Sequence, residues 1–360
     1  MNSEEGVGHM STEKRNKKEI FLSLYLDQSG VTAIIVGLCM VVLIGITAMA
    51  LDIGHLYVVR GELQNAADAT ALAAAAHVYP RAPSAAPASP NWAAARAAAH
   101  TDIALNKSGG TSLADCTVST GYWNLSQTST VLEGRGITPG PLDVPAVQVT
   151  VNKSAGNNGG PVQHWFASFI GVPSSNVRAQ ATAVLMSPGS VGPGSLFPMA
   201  IAKLLADQAR SHDSPATAIR IGSSYHYPAS QAGQWTSFAD NSSSTFFMRG
   251  LIDNGNPTSL SVGDDINLQS GTRTALYGYV PAPSDVLLAV VDTTILNNNM
   301  TVPIYGFIGF HITASVAQPG QRGRRADNYV EGYFLGTFFT GLGSSSGPQY
   351  GAYIPPKLVQ

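Results

Sequence analysis

The chain has 360 residues, 44% of them hydrophobic and 12% charged, with a net charge of -2. That length is a prior for two domains with ample core, and the sparse, nearly balanced charge excludes an obvious polyanion partner. The densest late basic group, Arg322, Arg324 and Arg325, sits in a Gly-rich turn and reads as a solvated loop, not a nucleic-acid patch.

In chain order, residues 1–30 form a cytoplasmic N-terminal segment that begins polar, carries Lys14, Arg15, Lys17 and Lys18, and then turns apolar at Ile20, Phe21, Leu22, Leu24, Tyr25 and Leu26. That cluster reads equally as a short interfacial helix or as the end of a disordered tail. Residues 31–51 run for 21 positions without a charged side chain. At about 1.5 Å per residue a helix of that length spans roughly 30 Å, the thickness of a bilayer's hydrocarbon core. Basic residues before it and only Arg60 in the fifteen positions after it predict a cytoplasmic N-terminus with the bulk outside the cytoplasm. Ala48-Met49-Ala50 has the small-x-small form of a signal-peptidase site, so a cleaved secretory signal is the competing reading.

The helical pattern continues through residues 52–78 as a stalk. Leu56, Val59, Leu63, Ala66 and Thr70 keep three-four spacing, with Asp52, Arg60, Glu62, Gln64 and Asp68 at the polar positions. The Ala-rich run at 66–76 favours helix and allows close approach, either by a partner helix or by the stalk's own domain. Pro80, Pro83, Pro87 and Pro90 end the helix, and a second Ala-rich helix follows over about 91–106 with Asn91 as its N-cap.

Period-two alternation then predicts strands at 146–151 and 177–183, flanking a short aromatic helix at 164–170 that ends at Gly171. Residues 79–186 thus form a helix-plus-β module, 187–195 a linker dense in turn formers, and 196–360 a β-rich C-terminal domain. Strands are expected there at 217–223, 285–295, 300–316 and 329–340, in a sandwich-like arrangement. The fold class is α+β: one N-terminal transmembrane helix continuing into an Ala-rich stalk, then a β-rich extracytoplasmic region. Cys39 lies inside the apolar run and leaves Cys116 alone outside it, so no disulfide is expected.

Gly30 before the apolar helix, Asp52 just after it, Tyr57, Arg60 and Leu63-Gln-Asn-Ala-Ala-Asp-Ala-Thr-Ala-Leu72 follow one another in a recognisable order. Over about residues 27–76 the chain resembles the TadG-like proteins of bacterial tight-adherence (Flp) pilus systems, with weaker similarity through 147–185. The resemblance implies a single-pass inner-membrane protein whose periplasmic part helps to assemble or anchor an adhesive pilus, without catalysis or a cofactor. Two features depart from related sequences. The pilins and TadE-like pseudopilins carry a Glu at the fifth position after the Gly, where this chain has Ile35, so processing as a pilin is not implied. Longer relatives carry a von Willebrand A-type domain with a metal-binding Asp-x-Ser-x-Ser.

Asp240, Ser242 and Ser244 match that metal spacing, but no buried apolar strand precedes them, and a Ser-rich surface turn explains them better. Gly343-Ser-Ser345-Ser-Gly347 formally matches a nucleophile elbow, yet it is a Gly/Ser tract without the strand-turn-helix context. Gly263-Asp264-Asp265 places two acids where a cation could sit, which a turn between strands explains as well, and the eight His residues show no metal spacing, with His55 placed at the headgroup level. Asp52 is the charged residue to single out: it marks the outer edge of the span, with pairing to a partner as a second role. No catalytic, cofactor-binding or metal-ligating residue is assigned. The expected partners are the inner membrane, other pilus-assembly proteins through the stalk helix, and a second copy of the chain, with no nucleic acid. The alternative function is a cell-envelope binding or adhesion module that uses the C-terminal domain.

Overall fold

The computed structural model describes residues 29–79, 89–126, 131–140, 142–211, 218–223, 227, 233–269, 274–292, 299–318, 327–341, 343 and 347–359. The apolar cluster at 20–26, the basic residues at 14–18 and the Arg322–325 group lie outside them.

One helix, α1 (Ser29–Ala76), runs unbroken for 48 residues, about 70 Å. It meets no proline along its length, and its second half is Ala-rich, the best helix former. It is long and apolar enough to cross a membrane, and the most apolar window has none of its residues buried. Past Asp52 the same helix becomes one-sided: Val59, Leu63, Ala66, Ala67, Ala71, Ala74 and Ala75 are buried. The helix α2 (Trp92–Ile103) lies against this half, its N-terminus closed by the Asn91 side chain, which accepts the Ala94 N–H at 3.0 Å.

The surface under both helices is a four-stranded antiparallel sheet in the order Lys357–Leu358, Val177–Val184, Asp143–Lys153, Thr117–Asn124. Val147, Val149 and Val151 sit opposite Ala183, Ala181 and Ala179 across the central ladder, and all six join the core of α1 and α2. Alternating large and small side chains on the sheet, met by alanines on the helix, bring backbone and backbone close. Successive residues point to the other face, where Trp123, Val144, Ala146, Val184, Met186 and Ile354 form a second, smaller cluster. The two strands expected from alternation are therefore present, the first extended at both ends and the second by one residue. Lys153 is buried at the sheet's end, where its ammonium donates to the carbonyls of Ser108 and Asn158 at 3.3 and 2.9 Å.

Residues 187–195 are not a bare linker. Ser190–Val191 pairs with Leu260–Ser261, and the buried Asn256 accepts the Leu196 N–H and donates to the Gly192 carbonyl. Turn formers deny this stretch a long element, but its buried backbone groups still require partners, and one asparagine supplies several.

Beyond it stands a seven-stranded sheet, not two stacked sheets as a sandwich would require. Its order is Ile219–Gly222, Asp327–Phe334, Thr301–Gln318, Ser284–Val291, Met199–Ala202, Gly233–Trp235, with Asp265–Asn267 added on the long strand. Only Ser284–Val291 and Met199–Ala202 run parallel. The twist that accumulates over so many strands curls the sheet until its two edges approach. A Cβ on Gly233 would lie 2.2 Å from Ile221 Cγ2, so glycine is what lets these edges meet. Trp235, Tyr277, Phe307 and Phe310 fill the interior. The helices Lys203–Ser211, Thr245–Asn254 and Thr274–Tyr277 were not expected from the sequence, because all are short insertions between strands.

The chain finally returns to its first module. Tyr353 stacks on Tyr79 with ring centroids 4.9 Å apart, and Lys357–Leu358 adds an edge strand to the first sheet. Tyr353 thus lies in the first core and Lys357–Leu358 on the edge of its sheet, although sequence order assigns them to the C-terminal region.

Candidate functional site

At the point where α1 changes from exposed on all sides to buried on one, the chain places a charged residue among apolar neighbours. Asp52 is only 4% exposed. A buried carboxylate must be hydrogen-bonded, and its donors come from a hairpin more than a hundred residues away. Val162–Gln163 pairs with Ser174–Ser175, and the tip between them folds back to α1. There the Trp165 N–H donates to Asp52 Oδ1 at 2.8 Å, while the N–H groups of Phe166 and Ala167 donate to Oδ2 at 3.0 and 2.7 Å.

The tip suits this task because it begins a one-turn 3-10 helix, Ala167–Ile170, whose first N–H groups have no partner within the turn. Asp52 closes that end as an N-terminal cap supplied from another element. The other end is closed by Gly171 at φ 88, whose N–H turns back to the carbonyls of Ala167 and Ser168, a left-handed conformation that favours glycine. The expected helix at 164–170 is thus a shorter 3-10 turn stopped by the expected glycine. Desolvation pushes the Asp52 pKa up, but the three N–H groups, with the charge of His164, outweigh it and hold the carboxyl below its ordinary value.

Two more contacts tighten the joint. His55, one turn after Asp52, stacks on Trp165 with ring centroids 4.8 Å apart and planes 22° from parallel. His164 Nε2 and Ser175 Oγ lie 2.8 Å apart across the hairpin. Beside the hairpin, Ile53, Leu56, Tyr57 and Arg60 of α1 face Ser175, Asn176, Val177 and Arg178 across an open groove of about 530 Å³.

The remaining residues weighed from the sequence fall elsewhere. Asp240 lies in an exposed turn, its N–H donating to Ser237 O at 3.2 Å, and Ser244 precedes the helix Thr245–Asn254 without capping it through its side chain. Asp264 accepts the Ser261 N–H at 2.8 Å inside its own turn, and Ser344, Ser345 and Ser346 lie outside the described residues. Among the described residues no group of three or more His, Cys, Asp or Glu side chains is placed to hold a metal ion. Cys116 is buried against Ala99, and burial, with Asp115 adding to it, pushes its thiol up to about 11, an unreactive state. The Ala-rich stalk face is covered by the chain's own sheet and α2, so of the two readings left by the sequence the internal one describes this face.

What this geometry defines is a long helix, half of which has no cover among the described residues, clasped at its midpoint to an α+β body. The family described as putative Flp pilus-assembly TadE/G-like matches residues 30–77, which is α1, and that described as putative Tad-like Flp pilus-assembly matches residues 73–183, which is α2 and the four-stranded sheet's first three strands in sequence. Over these two stretches the chain is similar to Tad/Flp pilus-assembly proteins, which supports a TadG-like protein, and the Asp52 joint is made between the two matched regions. No curated protein and no solved structure matches the chain.

Proposed function

We propose that the protein is a single-pass inner-membrane component of Flp pilus assembly that works through a periplasmic body instead of by catalysis. The observation that carries this reading is the continuity of α1, exposed on all sides over residues 31–51 and buried on one side against a folded body from Val59 onward. A helix with these two environments transmits position from a bilayer to a body rigidly, since no hinge separates them. Positive charge at 14–18 and its scarcity after residue 51 set the N-terminus in the cytoplasm. The helix is retained in this reading: a cut after Ala50 would make Asp52 the second residue of the chain and leave the clasp at a fraying helix end.

The division of labour follows the chain: residues 52–186 with the C-terminal strand as the membrane-proximal module, 187–195 as its boundary, and the curled sheet as a second module. Contacts with other assembly proteins, or with a second copy, use the outward side of the stalk at Gly54, Tyr57, Val58 and Gly61, since the alanine side is occupied. One observation favours the second reading, ligand binding by the C-terminal region: Phe246 is 88% exposed beside a groove of about 620 Å³ shared with Arg249, Asp253 and Tyr279.

A full-chain Tyr57→Ala, Val58→Ala double variant separates the two readings. Loss of pilus assembly at normal membrane fractionation supports the assembly role. Normal assembly with binding lost only on Phe246→Ser sinks it in favour of the second.

A further inference from the structure

The hairpin tip that Asp52 holds carries more exposed apolar surface than a soluble surface loop should. Phe169 is 86% and Ile170 75% exposed, and Trp165, Phe166 and Val172 are exposed beside them. Between Lys153 and Arg178 the sequence has no Asp, Glu, Lys or Arg at all. A contiguous exposed apolar patch of this kind marks a surface that meets something apolar.

The position of the tip says what that is. The base of the hairpin, Ser175 to Arg178, borders α1 at the level of Leu56 to Arg60, while the tip is bonded to Asp52. From base to tip the hairpin therefore descends the helix towards residues 31–51. Asp52 directly follows that apolar run, and Ala48, one turn before it on the same face, is the single residue of 31–51 that is partly covered. The patch is thus continuous with the lipid-facing surface of the helix. Its composition, Trp165 beside Phe166, Phe169 and Ile170, is that of an interfacial segment, with Trp at the headgroup level and the purely apolar side chains in the acyl boundary.

We propose that residues 165–172 insert into the periplasmic interface of the same bilayer that α1 crosses, giving the protein a second membrane contact with Asp52 as the pin between the two. The occupant of the patch is phospholipid. This rests on the anchoring of α1 proposed above. With two contacts the body cannot swing or spin about a single helix, so its orientation over the membrane is fixed.

The test uses the full chain in phosphatidylcholine/phosphatidylglycerol nanodiscs, one chain per disc, with a nitroxide label at one of four places. Cys39 itself is exposed on α1 and reports insertion of the helix. In a Cys39→Ser background, Phe169→Cys and Ile170→Cys report the tip, and Phe246→Cys, far along the chain and exposed, gives the aqueous reference. Buried Cys116 stays unlabelled. Labels at 39, 169 and 170 are expected to relax with lipid-dissolved oxygen and to lose sensitivity to a water-soluble nickel chelate, which the label at 246 retains. A lipid-exposed 39 with 169 and 170 as chelate-sensitive as 246 overturns the second contact and leaves the anchor standing. A chelate-sensitive 39 overturns the anchor and the inference with it. Tip labels shielded from both oxygen and chelate show cover by protein and overturn the lipid assignment.

Discussion

The two halves of α1 are both apolar, yet they are built for different neighbours. Residues 31–51 carry Ile, Leu, Val and Met around the full circumference, and all of these large side chains are exposed. From Val59 to Ala75 the buried positions are mostly alanine, confined to one side. Hydrophobicity is similar in kind; bulk and angular spread are what differ. A fluid hydrocarbon accommodates large side chains in every direction without shape matching. A β-sheet face accepts a helix closely only where the side chains between them are small. The size of the side chains along one helix therefore assigns one half to the proposed bilayer and the other to the protein core.

Truncating a leucine in each half is the strongest way to break this comparison. Leu63 is fully buried and Leu43 is 62% exposed. Leu63→Ala should cost the body about 2–5 kcal/mol, through lost transfer energy plus the cavity left behind. Leu43→Ala should leave body stability within about 0.5 kcal/mol. Urea unfolding of the detergent-solubilised chain, followed by tryptophan fluorescence, measures both, and equal losses would show that the halves do not differ as described.

Enlarging an alanine is the next test. Ala71 is fully buried in the core of α1, α2 and the sheet, whereas Ala69 two residues earlier is exposed. Ala71→Leu forces the helix off the sheet and should destabilise by about 1–3 kcal/mol, while Ala69→Leu should be near neutral. A neutral Ala71→Leu would mean that the helix–sheet contact is loose and that bulk is not what assigns this half.

Much of this was legible in the residues themselves. The long apolar helix, its continuation past Asp52, the Asn91 cap, the two alternating strands and the glycine stop at 171 all depend on local periodicity or capping chemistry, which a single sequence displays. The closing strand at Lys357–Leu358 did not show, since two residues carry no period and their partner at Val184 lies far back in the chain. The curl of the second sheet was hidden for a similar reason: it depends on Gly233 meeting Ile221 across non-adjacent strands. Asp52 is the intermediate case. A carboxylate at the end of an apolar run announces that it needs partners, but nothing in the sequence says that three backbone N–H groups at 165–167 supply them, because backbone donors are the same at every residue.

That joint gives the smallest effect and the most local one. Above the ordinary carboxylate range Asp52 is ionised whether the chain is folded or unfolded, and the three N–H bonds contribute in full. Because the folded-state pKa lies below the unfolded value of about 3.9, the contribution begins to decline as pH falls past the unfolded value and is lost once the carboxyl also takes up a proton in the clasp. Hydrogen exchange at the amides of Trp165, Phe166 and Ala167 should therefore be slow at neutral pH. Corrected for the intrinsic pH dependence of exchange, protection should fall below about pH 3.9. The amide of Ala94, held by the non-titrating Asn91, should keep its protection over the same range. Asp52→Ala removes both acceptor oxygens, so it should abolish protection at 165–167 at every pH while Ala94 is unchanged. Protection at 165–167 that survives Asp52→Ala would show the hairpin to be held by the His55–Trp165 stack alone, and the carboxylate would then be only a marker of where the apolar run stops.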